Sequence, residues 1–155
     1  MVKVVIWSLF IIPWISLFFL KGNAIRRYMP VALFATVLNT ILAQMAWSFN
    51  WWKFKETLFT WDRLAPLFTV YSVFLVGTIW IFYFTFRRFW IYIIVNLIID
   101  LFYGMGLTKM LNKLEIRENG SFSPLQNLLA MTILAVILYL YQIWQERIFE
   151  KDSFK

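Results

Sequence analysis

The chain has 155 residues, 62% of them hydrophobic and 15% charged, with a formal net charge of +7. A soluble domain averages about 25% charged residues, so this chain lacks the polar surface to cover a core of its own. It has no cysteine and no histidine, which excludes disulfides, thiolate nucleophiles, Cys/His metal sites and Ser-His-Asp chemistry.

Five apolar runs follow in chain order, each near the ~20 residues that cross the hydrocarbon of a bilayer. The first covers about 4–20, "VVIWSLFIIPWISLFFL". "GNA" at 22–24 weakly resembles a leader-cleavage site, but the run is long and Arg26 and Arg27 form a stop-transfer flank. It is read as a retained span, with Pro13 as a kink point. The second run covers about 29–49. In the connection "NWWKFKETLFTWDRL", Trp51, Phe54, Leu58 and Trp61 fall at helical spacing. That predicts a short interfacial helix at 51–61 lying in the headgroup layer. An irregular aromatic belt is the alternative.

The third run covers about 65–86 and the fourth about 89–107. Only "RR" at 87–88 separates them, which forces an antiparallel hairpin. Leu107, Leu111 and Leu114 carry the fourth helix past the membrane until "ENG" at 118–120 breaks it. "SP" at 123–124 reads as an N-cap followed by proline in the first turn, opening a fifth run at about 125–144. No repeat or low-complexity tract interrupts the pattern. The fold class is all-α, and residues 1–155 are expected to form a single domain, an integral membrane bundle of five transmembrane helices.

The basic residues sit between apolar runs, where they meet lipid headgroups rather than nucleic acid. With five spans, Lys3, Lys53, Lys55, Arg63, Lys109, Lys113 and Arg117 share one side. Lys21, Arg26, Arg27, Arg87, Arg88, Arg147, Lys151 and Lys155 share the other. The second set holds the tight clusters in short connections, so the positive-inside rule places the amino terminus outside and the carboxyl terminus in the cytoplasm.

The fourth run carries one acid, Asp100. A carboxylate at a helix centre costs roughly 2.5–3.5 kcal/mol to insert, so an offset is expected. Tyr92, Asn96, Asp100 and Tyr103 recur at steps of four, four and three and share one face. The second run has a similar stripe of Thr36, Thr40, Gln44 and Trp47, with Asn39 beside it. The two runs point the same way, and Thr40 and Asp100 each lie eleven residues from their starts. A buried polar layer between the second and fourth helices is therefore expected. Asp100 is its centre, with Asn96, Tyr103, Asn39, Thr40 and Gln44 as ligand-binding candidates, and Thr69, Ser72, Thr78 and Ser16 add to it. Such residues also serve simply as glue between membrane helices. On the layer reading, Asp100→Leu disturbs folding.

Glu56, Asp62, Glu115 and Glu118 read as solvated charges, with no spacing that matches a metal loop. Gly77, Gly104 and Gly106 suggest close helix approach. Tyr139, Tyr141, Trp144, Trp90 and Tyr92 suggest one interfacial belt, and Trp47, Trp51 and Trp52 the other.

"PWISLFFLKGNAIRRYMPVALFATVLNTILAQMAWSFNWW" at 13–52 resembles the front half of an uncharacterised family of small multi-pass membrane proteins from spore-forming Firmicutes. That family carries a polar or acidic position in its second helix before a short Trp-containing segment. Gln44 and Trp47 to Trp52 look like this pattern, with Gln where an acid is expected. The resemblance implies fold, length and a bacterial setting, and no activity.

Two classes of function are expected. One is binding of a lipid-like or apolar ligand, or of a membrane partner, around the Asp100 layer, with membrane lipids, a protein partner or a second copy as company. The other is an intramembrane enzyme, or a proton-coupled transporter, with Asp100 as candidate catalytic proton donor or acceptor. No cofactor is called for by either.

Overall fold

An apolar run in hydrocarbon must satisfy its backbone groups internally, and the helix does so. The computed structural model describes residues 2–152, so Met1 and residues 153–155, Lys155 among them, lie outside the described residues. Helix α1 spans Val2–Ser16 and ends in a 3-10 turn, Leu17–Phe19. Helix α2 spans Gly22–Ser48. A π-helical stretch, Thr69–Phe74, runs into α3, Leu75–Thr85. Helix α4, Phe89–Phe102, continues through a second π stretch, Tyr103–Leu107, into α5, Thr108–Lys113. Helix α6 spans Pro124–Asp152.

These elements form five continuous helical rods. Four of them, Val2–Phe19, Gly22–Ser48, Phe89–Lys113 and Pro124–Arg147, are long and apolar enough to cross a membrane. The rod Thr69–Thr85 is apolar but shorter. The bundle wears large apolar side chains outside: Ile12, Phe84 and Phe102 are 63%, 68% and 75% exposed. Water-facing proteins rarely expose so continuous an apolar surface.

Helix α3 is the centre of the bundle. It packs on α2 and α4 and, less extensively, on α1, while α6 packs on both α2 and α4. The buried alanines Ala32 and Ala35 of α2 let its neighbours approach closely. Phe82 of α3 is fully buried among Tyr28, Phe86, Tyr92 and Tyr139. Tyr92 and Tyr139 thus belong to the core and not to an interfacial belt. The remaining hydroxyls of the expected layer bond either across to α1 or within their own helix. Ser72 Oγ donates to Phe10 C=O, Trp80 Nε1 donates to Ser16 Oγ at 2.9 Å, and Thr78 and Thr69 each bond a carbonyl one turn back.

The connection between α2 and α3 departs from the predicted helix at 51–61. Strand β1, Trp52–Phe54, pairs antiparallel with β2, Arg117–Asn119, in the register Trp52↔Asn119, Lys53↔Glu118, Phe54↔Arg117. The ladder satisfies backbone groups that an isolated short helix would leave open at both ends. Alternation turns Phe54 into a second core with Ile6, Leu58, Phe68, Leu111 and Ile116. Lys53 instead sits over the Trp47 ring, and Trp61 is 71% exposed. Beyond β2 the chain closes tightly: Gly120 N–H donates to Trp51 C=O at 2.8 Å and Ser121 N–H to Asn50 C=O at 3.0 Å.

Asp62 is not a solvated charge. It is buried, and its two carboxylate oxygens accept the N–H groups of Phe59 and Leu67 at 3.2 and 3.3 Å. It thereby fixes the turn that launches the third rod. Asp62→Ala is expected to cost about 1–2 kcal/mol, as loss of a cap does, with Asp62→Asn recovering part of it. Unfolding in mild detergent reads both; an unchanged Ala variant would show that Asp62 does not cap the turn.

At the start of α6 the predicted cap is present. Ser123 Oγ accepts Gln126 N–H at 3.2 Å, and Gln126 Oε1 accepts Ser123 N–H at 2.9 Å, a reciprocal capping box. At the far end of the bundle Glu146 binds the Arg27 guanidinium with both oxygens and lies 3.9 Å from Arg87. This cluster ties α2, the α3–α4 hairpin and α6 together.

Candidate functional site

The polar face of α4 points into the bundle. Tyr92, Asn96, Asp100 and Tyr103 line a crevice of about 90 Å³ between α3, α4 and α6, with Thr78 and Met131 opposite. At its inner end the Tyr92 hydroxyl donates to Ala135 C=O at 2.9 Å, joining α4 to α6. Asn96 Nδ2 donates back to Tyr92 C=O at 2.8 Å. Both side chains are therefore engaged in holding the crevice. Asp100 is different. It is half-buried, and among the described residues it has no hydrogen-bond or ion-pair partner.

Asp100 also borders a second, larger space. A groove of about 780 Å³ runs between residues 100–109 and residues 121–128, the loop before α6 and its first turn. Trp51, Trp52 and Phe122 wall it, and Arg117 and Asn119 of β2 belong to its lining. Trp51 and Phe122 stack with ring centres 4.4 Å apart. The volume falls within the ~300–1,000 Å³ of small-molecule sites. Part of its lining is aromatic and cationic, and Leu101, Met105 and Leu125 give it an exposed apolar flank.

Arg117 joins this groove to a third, minor cavity of about 30 Å³ shared with Asn39, Tyr103 and Asn127. Its Nη1 donates to Thr108 Oγ1 at 3.0 Å, and its Cζ lies 5.2 Å from the Trp52 ring centre. Its Nε is enclosed and has no partner. Burial pulls the guanidinium below its usual range, and the Tyr103 hydroxyl beside it works the other way. The three spaces thus meet around Asp100, Tyr103 and Arg117.

The expected layer between α2 and α4 does not form, because α3 and α6 stand between those helices. Asn39 is buried but reaches only the minor cavity. Thr40 donates to Thr36 C=O at 2.8 Å and lies within 3.4 Å of the Tyr71 hydroxyl. Gln44 is exposed on the outer face of α2. Parallel helices place Thr40 and Asp100 at equal depth, but depth does not decide adjacency. Arg117 escaped the sequence reading because it arrives from a connection, and only the pairing of 52–54 with 117–119 brings it inward. Gly77 and Gly104 do not mark close helix contacts either. A Cβ at either would meet nothing within 4 Å, and these glycines border the crevice and the groove.

Both π stretches border the site: Val73 and Phe74 from the first and Tyr103 from the second line the crevice. Such turns recur at functional sites.

Fold and site together define a helical bundle of membrane-spanning composition that carries a walled amphipathic groove. No family model, no curated protein and no solved structure matches the chain.

Proposed function

We propose that this is a small integral membrane protein of the bacterial cell membrane that binds a lipid-like ligand in the groove between α4 and α6. The observation that carries the reading is the groove itself: one amphipathic space with an apolar flank, a cationic aromatic end and an unpaired carboxylate where it meets the crevice. An amphiphile has the same division. The ligand's polar end lies at the aromatic end, and its chain passes Leu101 and Leu125 toward Asp100. The arginine clusters at 26–27 and 87–88 favour a cytoplasmic carboxyl terminus and an external amino terminus, which puts the cationic end of the groove at the outer face.

Asp100 supports a second reading, in which it gives or takes a proton during chemistry on the ligand or its transport. Asp100→Asn separates the two, since the amide keeps the shape and loses the proton. A binding site retains its ligand in that variant, whereas a proton-dependent activity is lost from a stable protein.

The test of the binding reading is native mass spectrometry of protein extracted gently from its own membrane. The wild type is expected to carry one stoichiometric small lipid, and Gly104→Leu, which fills the groove from a position with free space around it, is expected to lose it. Bulk phospholipid alone, or a second protein or second copy in place of the lipid, would replace the binding reading with an interaction role.

A further inference from the structure

Resting on that binding reading, we propose that the cationic end of the groove is a head-group subsite for a phosphate-bearing lipid, held by Arg117 and Lys109.

Arg117 is not a side chain reaching outward for water. Thr108, Trp52 and the β1–β2 ladder hold it in place at the groove. A guanidinium offers five N–H donors, and here Thr108 and Tyr103 engage only part of them. A cation fixed in this way, partly desolvated and incompletely bonded, is matched to a bidentate oxyanion. Lys109 supplies a second charge. It lines the same groove, is exposed, and has no partner among the described residues.

The acids do not cancel this charge. Glu118 neighbours Arg117 in sequence but belongs to the opposite face of the strand, where it lies 3.4 Å from Lys55 Nζ. Glu115 is exposed and does not line the groove. Asp100 does line it, but eight residues from Thr108, about 12 Å along a helix axis. The head-group end therefore carries two positive charges and the chain end one acid. The stacked Trp51 and Phe122 place this end at the level where aromatic rings meet head groups. A zwitterionic head would bring its ammonium among cations, whereas a phosphate monoester brings two negative charges to two positive ones.

The probe is the full chain reconstituted in nanodiscs of phosphatidylcholine containing a minor share of phosphatidic acid, with bound lipid read by native mass spectrometry. The wild type is expected to retain phosphatidic acid over phosphatidylcholine. Lys109→Gln should lower that preference ~5-fold, the usual worth of one basic residue near lipid. Arg117→Gln should lower it roughly tenfold or more. Lys113→Gln, which removes an exposed charge on the same side outside the groove, should leave it unchanged.

Equal retention of the two lipids by wild type would overturn the proposal, as would a Lys113→Gln effect equal to that of Lys109→Gln. If millimolar inorganic phosphate displaces the lipid, the site takes a free anion and the commitment to a lipid fails. Should Gly104→Leu keep its lipid, the groove reading itself fails; a groove that binds lipid without head-group preference removes only the subsite.

Discussion

Asp100→Leu is expected to leave the bundle folded and to raise its stability by about 1–3 kcal/mol. A carboxylate at the centre of a spanning helix costs roughly 2.5–3.5 kcal/mol, and nothing among the described residues offsets that cost here, because Asp100 has neither a hydrogen bond nor an ion pair. The gain is smaller than the full insertion cost because the side chain borders the open groove. This reverses what a buried polar layer would require, where leucine would strand its partners. Unfolding in detergent reads the change. A marked loss of stability would mean that Asp100 is bonded inside the bundle after all.

A loss of up to about 3 kcal/mol is expected for Gly120→Ala, from a single added methyl group. An ideal Cβ at Gly120 would stand 1.8 Å from the carbonyl oxygen of Asn50 and 2.8 Å from that of Trp51. Both are backbone atoms, so no flexible side chain can swing clear, and overpacking of this kind costs about 1–3 kcal/mol. The shift would pull apart the closure in which Gly120 and Ser121 bond Trp51 and Asn50. Asn50 already sits at φ 54 and has little room to yield. Gly104→Ala is the matched control, since its new methyl would meet nothing within 4 Å. The near-ultraviolet circular dichroism of the stacked Trp51 and Phe122 should fade in the first variant and persist in the second. Equal behaviour of the two would show that the loop relaxes freely.

The two kinds of pattern in the sequence differed in how far they could be read. Periodicity and run length are local, so the five helices, the Ser123 cap and the leucine stripe through Leu111 were legible. So was the shared face of Tyr92, Asn96, Asp100 and Tyr103, because a helix fixes which of its own residues align. Adjacency between helices is not local. Thr40 and Asp100 match in depth, yet α3 and α6 occupy the space between their helices. The segment 51–61 shows the same limit: Trp51, Phe54, Leu58 and Trp61 suit a helix by spacing, but three residues some 65 positions later offer Trp52–Phe54 a ladder. Asp62 was misread for a related reason, since its partners are backbone N–H groups, which a sequence does not display.

The β1–β2 pairing bears on selectivity under the lipid-binding proposal. Trp52, Asn119 and Arg117 share one face of the ladder and line the groove, so that wall is held stiff by backbone hydrogen bonds. The apolar flank is lined by Leu101, Met105 and Leu125, which are exposed and free to change rotamer, and by Gly104, which adds no bulk. Under the lipid-binding proposal, a groove with one stiff polar wall and a yielding apolar flank discriminates by the shape and charge of the head and is indifferent to the length of the chain.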